Sequence, residues 1–508
     1  MNVFLGYSMV VLFFAGVLLT LYMHRRRDAD FTDYAVGGRS FGSGYQTMSV
    51  LNTWFPGSVF IADSGLAARS GVIGFHLLVY GLFAYLLMYL MSRRVWMWGE
   101  TNGLRTQSDL FGLRYGGTAS RTVPALIQVL VNFPMTVLGM QAMGLIFYYI
   151  SFGHLSYSQS VLAGVLVLVA RQFWTVRMGM RGVVVTDFYQ GMIAYVFGSA
   201  LLVGLIVYLV VNGHGFAALP VERLSLPMDG GGTGGLYLFA LTFTGAVGGW
   251  CLSGMFVRLF TADGVRSVKR SAVFVMPASL VFAGLLLTAA LLSGTLPGVS
   301  DNPDRALFTL AQHIGGPWII IAIALCVLAA QIGMADGVLQ SVGTLISNDL
   351  VAVYRPMNDK GRLLAAKISI AVYTVASALV ANIGLSNLIT LSIMAYQGVV
   401  QLAVPQFLGL FWKRGNRIGA VAGTVAGFCT AAGLSAAYPT SIPWLDGLTS
   451  GVVGMALNLA IYVGCAYLFP QSAAEGKRVS ELFAATSAVK APAAPGPAAA
   501  APPGPARA

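Results

Sequence analysis

Read by its hydrophobic and polar positions, the chain is a succession of long apolar runs separated by short charged loops. Apolar runs of roughly 18 residues or more cross a bilayer as helices. Thirteen are predicted: 3–23, 43–69, 72–92, 121–152, 159–176, 183–212, 236–260, 271–295, 315–346, 366–385, 387–412, 419–438 and 450–470. The loops alternate in charge. One set holds Arg25–Arg27, Arg93 and Arg94 through Arg121, Arg171 through Arg181, Arg258 through Arg270, Arg355 through Lys367, Lys413 through Arg417, and Lys477 with Arg478; the other holds Arg69, Arg223 and Arg305. With the C-terminal tail included, 27 of the 30 basic residues fall on one side. The positive-inside rule makes that side the cytoplasm. Thirteen crossings then predict a multi-pass protein of the plasma or inner membrane, N-terminus outside and C-terminus inside.

Composition narrows the function classes. The chain is 57% hydrophobic and 9% charged, with a mean hydropathy of +0.75, whereas a soluble domain carries about 25% charged residues. That excludes a soluble enzyme, a disordered chain and a disulfide scaffold. The formal net charge of +12 reads as a topology signal rather than a nucleic-acid footprint. Cys251, Cys326, Cys429 and Cys465 lie in apolar runs without close spacing, as free thiols do. The five histidines sit in loops or at span ends without metal-ligand spacing, so no metal, cofactor or enzymatic chemistry is expected. The first run lacks a cleavage site and reads as a retained helix. From residue 471 the chain turns to Ala, Pro and Gly, which predicts a disordered cytoplasmic tail over 471–508.

Two spans carry helix breakers at mid-depth. Run 43–69 contains Pro56-Gly57, and five spans later 236–260 contains Gly245, Gly248 and Gly249. One enters from each side of the membrane. Matching interruptions in oppositely oriented spans point to an inverted repeat with a midplane binding site, because unwound backbone is tolerated in a bilayer only where it is buried in protein or lines a cavity. The alternative is a packing glycine patch with an incidental proline kink.

Several stretches resemble the sodium/solute symporter family, which includes proline, pantothenate, monocarboxylate and sodium/glucose transporters. They are DFTDYAVGGRSFGSG (30–44), TQSDLFGLRYGG (106–117), GMRGVVVTDFYQG (179–191), LAAQIGMADGVLQSVGTLISNDL (328–350) and AYQGVVQLAVPQFLGLFWKRGNRIGAVAGTVAG (395–427). The resemblance covers about residues 1–470. It implies an all-α polytopic protein of about thirteen transmembrane helices with a leucine-transporter-type fold. An extra N-terminal helix and loop (1–42) would precede repeat one (43–212). An extracellular loop (213–235), repeat two (236–412) and two C-terminal helices (413–470) would follow. It also implies secondary active import of a small organic solute by alternating access, coupled to a cation.

The resemblance further implies a sodium site whose ligands are carbonyls of Asn52, Phe55 and Ala330 and two hydroxyls at positions 333 and 334. Here those positions are Gly333 and Met334. A hard cation seeks oxygen ligands, glycine supplies none and methionine supplies a thioether. The usual sodium site is therefore expected to be degraded, with coupling by protons, by sodium elsewhere or by no ion. The loss also opens an alternative, a transporter-fold receptor that binds solute without coupled flux. Three acids lie within spans, Asp63, Asp187 and Asp336. Asp187 matches a family position on the ion-release route and Asp336 the acid after the lost hydroxyls. The competing reading makes both helix caps or partners of Arg177, Arg181 or Arg258, and makes Asp63 a water-exposed residue of an outer vestibule.

Solute-facing candidates are Asn52, Thr53, Trp54, Phe55 and Gly57 on one interrupted helix and Gly248, Gly249 and Trp250 on the other. Met140 and Gln141 on a crossing helix, with Tyr396, Gln397 and Gln401 on the last helix of repeat two, complete the set. Amides and phenols in apolar spans need hydrogen-bond partners, which a polar solute supplies; core packing is the alternative for each. No span-centred arginine stands ready for a dicarboxylate. A monocarboxylate, an amino acid or a neutral metabolite fits, and the other partner is the lipid bilayer. No protein partner or nucleic acid is indicated.

Overall fold

The computed structural model describes residues 2–24, 30–226, 234–382 and 388–488, the side chains of 173–176, 388, 389 and 391 excepted. Within them the chain is nearly all helical. Ten helices are long and apolar enough to cross a membrane, eleven when one bent pair is counted as a span. The loop at Arg25–Arg27 and the tail beyond 488 lie outside the described residues.

Helix α1 (Asn2–Met23) leads to the first interrupted pair, α2 (Ser43–Trp54) and α3 (Val59–Ser70). Then come α4 (His76–Thr101), α5 (Ala119–Ile150) and α6 (Tyr157–Gly191), whose last turns continue through a π-helical stretch into α7 (Gly198–Val211). Ser156 and Gln159 form a capping box that starts α6. At Gly179 the backbone turns to φ 63° and ψ −150°, and a side chain there would meet the Tyr34 carbonyl at 2.4 Å. Only glycine satisfies both demands.

The second interrupted pair is α8 (Gly235–Gly249) and α9 (Ser253–Thr261), bent by 54°. There follow α10 (Val265–Ser293), α11 (Pro317–Leu345), α12 (Asp359–Ala381), α13 (Leu388–Val399), α14 (Arg417–Ala437) and α15 (Ser450–Leu468). Large apolar side chains such as Phe4, Leu166, Val372 and Leu379 stand exposed on the outer helix faces. In water such faces would be a liability; in a bilayer they face lipid. The α14–α15 hairpin packs through small residues: a side chain at Gly427 would meet the Gly454 carbonyl at 2.8 Å, and one at Gly423 the Asn458 carbonyl at 2.9 Å.

Two expectations need correction. The second interruption does not fall within Gly245–Gly249, which are helical; the chain leaves the helix at Trp250–Leu252, one turn later. Glycine permitted close packing there, and the break forms beyond it. The segment after 470 is not disordered throughout, because α16 (Ala473–Ala488) is helical. Val479, Leu482 and Phe483 on α16 are buried, and Phe483 packs edge-on against Trp98 of α4 at 5.6 Å. The Ala/Pro-rich composition that suggested disorder lies beyond this helix.

Buried and half-buried arginines tie one end of the bundle together. Arg39 donates to the carbonyls of Phe260, Gly99 and Leu104, and burial lowers its guanidinium to about 10. Arg114 donates to the carbonyls of Gly409, Trp412, Lys413 and Gly415. Arg181 pairs with Asp33 at 2.7 Å, and Arg121 bridges Asp109 and Asp349 at 2.5 Å each. These contacts join stretch 30–44 to 179–191, and stretch 106–117 to both 328–350 and 395–427.

Candidate functional site: a cleft between two interrupted helices

The two interruptions meet. The Trp54 ring lies against Gly249, where any side chain would approach it to 2.4 Å, and Trp54 and Trp250 have ring centroids 6.0 Å apart. Breaking a helix frees carbonyls and N–H groups that a bilayer cannot solvate, and neighbouring helices supply their partners. Gln331 accepts from the Ser58 N–H at 3.0 Å, and the Tyr195 hydroxyl donates to the Phe55 carbonyl at 2.9 Å. At the second break the Trp250 carbonyl accepts from both Gln107 and Gln406 at 3.1 Å. None of these four partners stood out in the sequence. The signal available was a glutamine or tyrosine in an otherwise apolar run.

Beside the breaks lies a cleft enclosing about 750 Å³ of atom-free space, its open mouth included. Its walls come from the first break (Thr53, Trp54, Pro56, Ser58), from α3 (Asp63), α4 (His76, Tyr80), α8 (Thr244, Gly245), α11 (Met334) and α13 (Tyr396, Gln397). Of the predicted solute-facing residues, Thr53, Trp54, Tyr396 and Gln397 line it. Gln397 brings little free chemistry, because its amide bonds the Gly451 N–H and the Ile393 carbonyl. Trp250 is fully buried behind Trp54, its indole bonded to the Ala84 carbonyl. Phe55 packs against Phe282, Gly57 against Val327 and Gln331, and Gly248 against Tyr396. Gln141 and Met140 are buried on α5 away from the cleft lining. Gln401 bonds the Gly451 carbonyl.

A second cluster lies on the far side of the first break. Asp187 receives the Ser49 hydroxyl at 2.6 Å, the Asn52 amide at 3.1 Å and the Arg258 guanidinium at 3.1 Å, all without solvent contact. Arg258 also donates to the carbonyls of Ser49 and Gly254. Gly333 completes the group: a side chain there would meet the Asn52 amide at 2.5 Å and the Asp187 carboxylate at 2.9 Å.

Comparison with known proteins identifies the architecture. The sodium:solute symporter family model matches residues 34–427. The chain belongs to the sodium:solute symporter family. It is 22% identical to the uncharacterised symporter YhjB of Bacillus subtilis (strain 168), over 89% of this chain and 95% of that one. Identity is 25% to the high-affinity proline transporter PutP of the same organism, over 82% of this chain and 89% of the relative. It is 24% to the sodium/pantothenate symporter of Haemophilus influenzae, over 82% and 86%. The fold is that of a sodium-coupled sialic acid symporter solved substrate-bound and outward-open, with a TM-score of 0.75, 17% identity and coverage of 92% of this chain and 98% of that one. MhsT, solved in complex with L-phenylalanine, matches at 0.54 with 15% identity over 88% and 99%. Membership makes this a symporter and not an enzyme.

The positions that the symporter motifs assign to an ion are brought partly together. Asn52, Asp187 and Gly333 touch, and Ala330 is buried one turn away on α11. The Phe55 carbonyl is occupied by Tyr195. Met334 turns to the cleft instead. Asp336 faces elsewhere and forms a buried ion pair with Arg171, supported by Gln172 at 2.9 Å. Asp187 thus has Arg258 as its partner, and Asp336 has an arginine that the sequence reading did not weigh. Asp63 is no surface residue: it is 8% exposed and lines the cleft.

Proposed function

We propose that this symporter imports a small organic solute through the cleft between the interrupted helices by alternating access, without a sodium ion at the family's usual position. The observation that carries it is the contact of two broken helices, Trp54 against Gly249, beside a cleft lined by both polar and apolar side chains. In this reading the chain crosses the membrane thirteen times, with five-helix repeats at 43–212 and 236–412, N-terminus outside and C-terminus in the cytoplasm. The cluster around Asp187 supports the statement about sodium. Asn52 fills the space a hydroxyl at 333 would need, and the Arg258 guanidinium already neutralises the carboxylate. A fixed cation there does for the fold what a bound ion would do, but it cannot dissociate, so coupling falls to protons or to no ion. Relatives include proline and pantothenate transporters, which supports a small organic solute.

Uptake into proteoliposomes tests this reading. Replacing external sodium by potassium is expected to change the initial rate less than twofold; a tenfold fall would place sodium back in the mechanism. The same fixed charge also favours a second reading, a solute receptor without coupled flux. Tight binding with no flux under any imposed gradient would select it.

A further inference from the structure

Resting on the transporter reading of the cleft, we infer that its solute carries an ammonium group, held between the Asp63 carboxylate and the aromatic rings of Trp54, Tyr80 and Tyr396. Asp63 stands on α3, the half-helix that leaves the first break. Among the described residues it is the one carboxylate of the lining, and no lysine or arginine shares the wall. Although more than nine-tenths buried, it has no cation beside it among the described residues; the charged neighbour it senses is another acid, Asp304. A carboxylate withdrawn from water without a counter-charge is a costly arrangement that a bound cation relieves.

The rest of the wall suits an organic cation. Tyr80 and Tyr396 line the same cleft as Asp63. The rings of Trp54 and Tyr80 are 5.8 Å apart and those of His76 and Tyr80 5.6 Å apart. Aromatic faces attract ammonium groups, and a carboxylate strengthens the attraction through charge-assisted hydrogen bonds. The His76 Nδ1 lies 3.0 Å from the Ile73 carbonyl. A carbonyl only accepts, so Nδ1 carries the proton and Nε2 of the neutral ring is a further acceptor. An inorganic cation fits less well, because a hard ion needs a cage of oxygens and Asp63 is the one charged ligand this wall offers among the described residues. A monocarboxylate without an ammonium group would meet a like charge at Asp63, which removes it from the solutes that the sequence left open.

The test uses the full-length protein in detergent with potassium as the only inorganic cation. Thermal shift and equilibrium binding compare propylammonium with 1-propanol, choline with its uncharged isostere 3,3-dimethyl-1-butanol, and both sets with propionate and sodium chloride. The expected result is a melting shift with an ammonium probe and none with its neutral isostere or with propionate. Asp63→Asn should lower affinity at least tenfold while eluting and melting as a folded protein, and Asp63→Glu should retain part of the affinity. Equal shifts from the neutral isosteres, a shift from sodium or propionate alone, no shift from either ammonium probe, or undiminished binding to Asp63→Asn would overturn the inference. The isostere comparison in the unaltered protein decides the matter even if a variant does not fold. Asp63-dependent binding without flux in proteoliposomes would overturn the transporter reading and leave the ammonium site standing.

Discussion

Single residues decide what the interior of this protein tolerates. Asp187 and Arg258 are both without solvent contact and hold each other's charge. Removing one partner of such a pair strands the other, at a cost of about 3–5 kcal/mol. Arg258→Met should therefore melt well below the unaltered protein in detergent, and adding Asp187→Asn should recover most of the loss. Additive losses in that double-mutant cycle would show that the two groups do not interact. Gly333 makes a separate point. Its missing side chain is the space taken by Asn52, so Gly333→Ala should destabilise by about 1–3 kcal/mol through overpacking. Asn52→Ala in the same chain should relieve it. By the same geometry, Gly333→Ser with Met334→Thr cannot rebuild a sodium ligand set unless Asn52 is shortened too. Sodium sensitivity of uptake should appear in the triple variant and not in the double.

Elements here are shaped as much by their neighbours as by their own sequences. Proline explains why α2 ends where it does, since Pro56 cannot donate a backbone hydrogen bond, yet the unwound turn persists because Gln331 and Tyr195 satisfy what it frees. Gln331→Leu would leave the Ser58 N–H buried and unpaired, which costs about 1–3 kcal/mol. Hydrogen exchange at 55–60 should rise in that variant while exchange in α14 and α15 stays unchanged. The break at Trp250–Leu252 has no proline at all. It is held by two glutamines from distant parts of the chain, which is why glycine spacing alone misplaced it by a turn.

At the scale of the whole molecule, charge is sorted by depth. Apart from the internal pairs of Asp187 and Asp336, ion pairs such as Asp33–Arg181 and Asp109–Arg121 gather at one end, where Arg39 and Arg114 also bind helix carbonyls. At the other end Asp304, outside the spans, is pushed above the usual carboxylate range by burial, against the pull of Arg69 and Arg305. A carboxyl raised in the folded state contributes stability that is fully present below its unfolded value and is lost as pH rises through the folded one. Asp304→Asn should thus raise the melting temperature at pH 7 to 8, with the gap closing toward pH 4. A gap that widens on acidification would reverse the sign of the argument.

Some of this was settled by the chain itself. Long apolar runs, scarce charge and one-sided arginines are local properties, so the membrane class, most helix positions and the proline-broken first helix are legible without coordinates. The motif stretches add the symporter family. Trp54 and Tyr396 could be named as cleft candidates because aromatic and polar residues beside a helix break have few other uses. What the sequence could not reveal is which buried polar group answers which. Asp63 looked like a vestibule acid because exposure is not written in a one-dimensional pattern. Asp336 found Arg171, Gln397 was spent on Gly451, and Arg258 entered the cluster at Asp187, all through contacts between residues far apart in the chain. Helix periodicity assigns a residue to a face; only packing of helix against helix decides what that face meets, and in a bilayer interior that meeting determines whether a charge is neutralised or left for a solute.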